Sequence, residues 1–189
     1  MAIDSNAGLR ATLTRLATDA AAALAAGDFV AAVAIYRRII ELVPGFSAAH
    51  SNLGVALFSL GRLDEAEAAF RRAIATKPDS AEAYSNLGHV LQEMGRNDEA
   101  LAALRRAVAL KDDFADAHSN LGAALQAEGR DAEAVEAFSR ATAISPEHAK
   151  ARNNLGQVLL RNGDFAQGWR EYEWRWQSVG LAPPSFPQP

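Results

Sequence analysis

Four asparagines, Asn52, Asn86, Asn120 and Asn154, recur at one fixed interval, and each follows a small polar residue: Ser51, Ser85, Ser119 or Asn153. A primary amide offers a hydrogen-bond donor and an acceptor together, and a hydroxyl does the same on a shorter arm. A row of amides can satisfy the main chain of an extended peptide without reading its side chains. The chemistry suggested is recognition. Asn and Ser also bond to nearby backbone, so a structural role at neighbouring helix ends stands beside the binding one.

Nothing comparable points to catalysis. The histidines are His50, His89, His118 and His148. His50 and His118 fall at equivalent places two periods apart, too far to converge on one metal, and partly buried packing accounts for them. There is no Gly-rich phosphate loop, no Gly-x-Ser-x-Gly elbow and no His-Glu-x-x-His. The chain therefore reads as a non-enzyme, with no catalytic residue, cofactor or metal expected.

The elements that position the asparagines follow from the period. Ser51-Asn52-Leu53-Gly54 recurs as Ser85-Asn86-Leu87-Gly88, Ser119-Asn120-Leu121-Gly122 and Asn153-Asn154-Leu155-Gly156. A fixed interval of this size means stacked units that share one continuous core. A second glycine follows each signature at a constant distance (Gly61, Gly95, Gly129, Gly163), with Gly27 at the same place earlier. Glycine there fits a helix C-terminus, so each unit is a helix, a tight turn and a second helix. The second helix carries aligned small residues (Ala66, Ala100, Ala134, then Gly168) and aligned large ones (Tyr36, Phe70, Leu104, Phe138, Tyr172). Pro44, Pro78 and Pro146 fall where it must stop. Asp112 replaces the proline in the third unit, which predicts a softer end or a short extension there.

Composition agrees. The 189 residues are 49% hydrophobic and 22% charged, with the balance of a folded soluble protein. The net charge of −4 argues against a nucleic-acid partner. There is no cysteine, hence no disulfide framework or thiolate metal site. The apolar stretch 20–26 is too short to span a bilayer and no basic leader precedes it, so no membrane partner is expected and the cytoplasm is the default. Asp64, Glu65, Glu67, Asp98, Glu99, Glu133 and Glu136 sit near the start of second helices, where the helix dipole favours anions. Glu67 to Arg71 and Glu136 to Arg140 are i, i+4 pairs in the favourable order. These charges read as a solvated outer face.

Units of this length with Leu-Gly, Ala, Phe and Pro at these places resemble tetratricopeptide repeats. The resemblance implies an all-α, right-handed superhelical solenoid of about five helix–turn–helix repeats with capping ends. Its segments would be an N-terminal cap or tail over 1–12, repeats over 13–46, 47–80, 81–114, 115–148 and 149–178, and a Pro-rich tail or linker over 179–189. The first unit has Asp19 where the signature Leu belongs and a stripe of Leu13, Leu16, Ala20 and Leu24, which predicts a longer, shifted first helix. At the other end Phe165, Trp169, Tyr172 and Trp176 form a second stripe, read as termination of the stack.

In tetratricopeptide solenoids the first helices line a concave groove. The resemblance therefore places Asn52, Asn86, Asn120 and Asn154 there, with Ser51, Ser85, Ser119 and Asn153 beside them. Neighbouring positions vary: Ala48, Glu82, Asp116 and Lys150 in one row, Val55, His89, Ala123 and Gln157 in another. Specificity for a protein or peptide partner would lie in these. Residues 115–148 hold an excess of acidic groups and 149–189 an excess of basic ones. Residues 163–176 also resemble a segment of bacterial proteins in which such repeats precede a glycosyltransferase-like domain, as in O-GlcNAc transferases. Three functions follow: a groove for extended peptides, a substrate-recognition arm of a larger glycosyltransferase, or a scaffold that associates with copies of itself. Phe186 between prolines suggests the tail as a ligand for its own groove.

Overall fold

The computed structural model describes residues 2–178, with side chains described from 7 to 176. The proline-rich tail and its Phe186 lie outside the described residues. All regular structure among those described is helical, in two compact units, Met1–Met94 and Gly95–Pro189.

The first unit holds α1 (Ala2–Ala25), α2 (Phe29–Leu42), α3 (Ser47–Ser59), α4 (Leu63–Thr76) and α5 (Ala81–Glu93). Each helix packs on the next in sequence, and α5 also touches α3. The core is small residues against large ones: Ala20, Ala32, Ala66 and Ala73 are fully buried beside Tyr36, Ile39, Leu57 and Phe70. Burying a side chain the size of Leu or Phe stabilises by about 1.5–3 kcal/mol. Gly54 is required by this packing, because a Cβ there would lie 2.7 Å from the Phe70 ring. The long first helix is present. It starts at Ala2, so residues 2–12 are part of it, and its stripe packs on α2 with Ala20 fully buried.

The second unit holds α6 (Asn97–Leu110), α7 (Ala115–Ala127), α8 (Asp131–Ile144), α9 (Ala149–Arg161), α10 (Phe165–Tyr172) and α11 (Arg175–Ser178). Leu104, Leu125, Phe138, Leu155 and Val158 are buried with Ala134, Ala141 and Ala151 in one cluster. Gly122 meets the Phe138 ring as Gly54 meets Phe70.

The turns inside the pairs have one design. Gly27, Gly61, Gly95, Gly129 and Gly163 have φ of 73°, 71°, 74°, 70° and 85°, the left-handed region closed to most side chains. After α3, Gly61 N–H donates to Phe58 O and Arg62 N–H to Leu57 O, both at 2.9 Å. This crossed pair satisfies carbonyls that the helix end leaves open.

The end of α6 corrects an expectation. Asp112 replaces the helix-breaking proline, yet α6 stops at Leu110 and has 14 residues, as α4 and α8 do. Lys111 is extended (ψ 94°) and its N–H donates to Ala107 O. His118 Nε2 donates to Asp112 O at 3.0 Å, as His50 Nε2 does to Pro44 O at 2.8 Å. Arg152 Nε makes the same bond to Pro146 O. A side chain of the following helix thus fixes each of these loops, and proline is dispensable at 112.

The C-terminal stripe is also not one helix. α10 ends at Tyr172 after eight residues, the chain turns at Glu173 and Trp174, and α11 resumes at Arg175. Phe165 and Trp169 are exposed. Arg152 stacks on Trp174 (4.8 Å), and Arg175 on Tyr172 and Trp176 (both 4.6 Å). Each such cation–π contact is worth about 0.5–2 kcal/mol.

Candidate functional site

The asparagines sit on the first helix of four pairs. Asn52 and Asn86 are on α3 and α5, which touch in the first unit; Asn120 and Asn154 are on α7 and α9, which touch in the second. Asn52 is exposed, and Asn86, Asn120 and Asn154 are half-buried. The leucine after each turns inward: Leu53, Leu87 and Leu155 are buried and Leu121 packs against the core of the second unit. Consecutive residues on a helix point about 100° apart, which separates the two roles.

The same geometry removes two residues from the expected surface. Ser85 and Ser119 are 2% and 1% exposed, so neither hydroxyl is offered to a partner. One position before the amide, the side chain of Ser85 or Ser119 turns into the packing. Ser119 Oγ is buried without a hydrogen-bond partner. Ser51 and Asn153 stay half-buried, and Asn153 Oδ1 is itself buried and unpartnered.

The variable positions differ in exposure and in contacts. Glu82, Lys150 and Gln157 are exposed. The His89 ring lies 4.8 Å from that of Phe58, tilted by 48°, with Nε2 3.9 Å from Glu93 Oε1. Asp116 Oδ1 lies 3.1 Å from His148 Nε2, while His148 Nδ1 accepts the Ala151 N–H at the start of α9. His148 therefore carries its proton on Nε2 and joins α7 to α9 as a cap.

Asn52 has an internal partner. Burial pushes the Tyr36 phenol above its ordinary pKa, and a hydrogen bond from Asn52 draws it part of the way back. Asn52 thus has a structural contact, but with a side chain inside α2 and not with a helix end. Its counterparts Asn86 and Asn154 follow Phe70 and Phe138, which have no hydroxyl at the matching place.

The charges assigned to a solvated outer face are only partly so. Glu67 pairs with Arg71 at 2.7 Å as expected, but it is buried. Arg140 pairs with Asp112 in the preceding loop instead of with Glu136. Glu171 is buried and binds Arg152 at 2.6 Å, a contact the sequence did not signal because the two are far apart along the chain. Among the described residues there is no group of three or more His, Cys, Asp or Glu that could hold a metal ion, and no helix long and apolar enough to cross a membrane.

Family models described as tetratricopeptide repeat match residues 23–87, 79–147 and 132–168. Among solved structures, PilF of Pseudomonas aeruginosa aligns with a TM-score of 0.82 at 21% identity, over 93% of this chain and 80% of that one. MamA aligns with a TM-score of 0.70 at 24% identity, over 85% and 94%. YrrB, described as a TPR protein with an unusual peptide-binding site, aligns with a TM-score of 0.62 at 25% identity, over 80% and 78%. Comparison with curated proteins gives no match.

Proposed function

The chain belongs to the tetratricopeptide repeat family, a frame for protein–protein interaction, and we propose that it uses the amide-bearing first helices to hold an extended segment of a partner protein. One observation carries this reading: an asparagine recurs in four successive repeats and stays at least partly exposed on α3, α5, α7 and α9, while the leucine after it turns into the core. A residue kept only for packing would follow the leucine inward. The amide supplies both halves of a peptide-bond contact, so it accepts main chain of any sequence. Glu82, Lys150 and Gln157, exposed on the same helices, would set preference among segments. The likeness to YrrB, a repeat protein with a peptide-binding site, supports the reading.

The test is a double variant, Asn86→Ala with Asn120→Ala, whose fold is first checked by circular dichroism. Two lost hydrogen bonds of about 0.5–1.5 kcal/mol each weaken capture of an immobilised library of extended peptides by roughly fivefold or more. Equal capture by variant and wild type would remove the amides from the interaction and leave them a structural role.

A further inference from the structure

Two hollows occupy equivalent places in the two units, two repeats apart in sequence. Each has a floor of two leucines, Leu53 and Leu57 in one and Leu121 and Leu125 in the other, with two Arg and two Glu on the rim. They differ in size and in where their charges stand. The first has a volume of about 430 Å³ and the second about 260 Å³. Small-molecule and side-chain pockets that bind run from about 300 to 1,000 Å³, so only the first reaches that range.

Three substitutions distinguish them. Glu41 on the rim of the first hollow corresponds to Ala109, and its carboxylate is taken up by Arg38 at 2.6 Å. Ala68 lines the first hollow where Glu136 stands in the second. Arg72 in the first corresponds to Arg140 in the second, and Arg140 is held by Asp112. The residue that matches Asp112 in the first unit is Pro44, which has no charge to offer. Arg37, also on that rim, is held by Glu65 at 2.9 Å. Among the described residues Arg72 pairs with no carboxylate.

We infer that the first hollow is a second docking site, which takes a partner segment with an apolar side chain next to a carboxylate. The apolar side chain rests on Leu53, Leu57 and Ala68, and the carboxylate pairs with Arg72. The repeat has built the same frame twice and neutralised one copy: Asp112 takes up the arginine and Glu136 puts a negative charge where the apolar group would lie. The site uses no asparagine, so it stands or falls apart from the amide face.

The experiment is a titration of the full chain, followed by NMR, with two blocked tetrapeptides, acetyl-Ala-Leu-Glu-Ala-amide and its Gln counterpart. The Glu peptide should shift the methyl signals of Leu53 and Leu57 saturably and leave those of Leu121 and Leu125 in place. Arg72→Gln, a surface change, should weaken binding about threefold or more, the size of one exposed ion pair. Ala68→Glu should abolish it. No saturable shift at Leu53 and Leu57, equal binding of the Gln peptide, or unchanged binding to the Arg72 variant would each overturn the proposal. Shifts at Leu53 and Leu57 on raising the protein concentration alone would also overturn it, by making a second copy of the chain the occupant.

Discussion

The α7–α8 and α9–α10 pairs start from the same repeat positions and pack in different ways. In the first, Gly122 faces the ring of Phe138, which is fully buried, so an aromatic group sets the distance between the helices. In the second, a Cβ on Gly156 would lie 2.5 Å from the main-chain N of Tyr172, and one on Gly168 would lie 2.9 Å from that of Leu160. Here main chain meets main chain. The Tyr172 ring has moved to the surface, where it is half-buried under Arg175. α8 has 14 residues and α10 eight. An inner pair is held apart by a side chain that a further pair will cover. The α9–α10 pair closes the gap and puts its aromatics outside.

The largest test of this contrast is truncation of the two rings. Phe138→Ala should cost about 3–5 kcal/mol, as for other buried aromatics. Tyr172→Ala should cost about 1 kcal/mol, as expected of a partly exposed side chain. Urea unfolding followed by far-ultraviolet circular dichroism measures both, and equal losses would erase the distinction.

A smaller effect sharpens it. Gly122→Ala and Gly156→Ala each overfill a tight contact, at about 1–3 kcal/mol. Shrinking the ring should rescue only the first, so Gly122→Ala with Phe138→Leu is less damaged than the sum of its parts. Gly156→Ala with Tyr172→Leu should be additive, because the clash is with main chain. Double-mutant cycles read the difference.

The smallest concerns how the two second helices begin. Asp164 caps α10 by accepting the Gln167 N–H, so Asp164→Ala should cost about 1 kcal/mol. α8 begins instead with Arg130, whose hydrogen bonds hold the Glu133 carboxyl below its ordinary pKa. A lowered carboxyl pKa favours the fold above the ordinary glutamate range, and the benefit is lost as pH falls through the lowered value. Arg130→Gln should move the Glu133 carboxyl signal back up in an NMR titration and change stability at neutral pH little. An unmoved titration would show that the pair does not form in solution.

Much of this frame was legible from the residues. The positive-φ turns followed from glycines at a fixed spacing, and the long first helix from its shifted apolar stripe. What escaped depended on neighbours in space. Ser85 and Ser119 sit beside solvent-facing amides in sequence, but one step along a helix turns them inward. Glu67 and Glu171 look like surface charges, yet an arginine covers each. Arg140 had two carboxylates within reach, and only the position of the preceding loop selects Asp112. The end of α6 was misjudged because the bond that fixes it comes from His118, which lies in the next helix.

The ties between helices have one further property. Arg37 to Glu65, Arg140 to Asp112, Arg161 to Asp131 and His148 to Asp116 join residues 28, 28, 30 and 32 apart. Closing segments this short costs little chain entropy, and chains dominated by near-neighbour contacts fold fast. Each pair can thus tie itself to the one before it as it leaves the ribosome. The α9–α10 pair, synthesised after the others described, settles against a surface that is already folded.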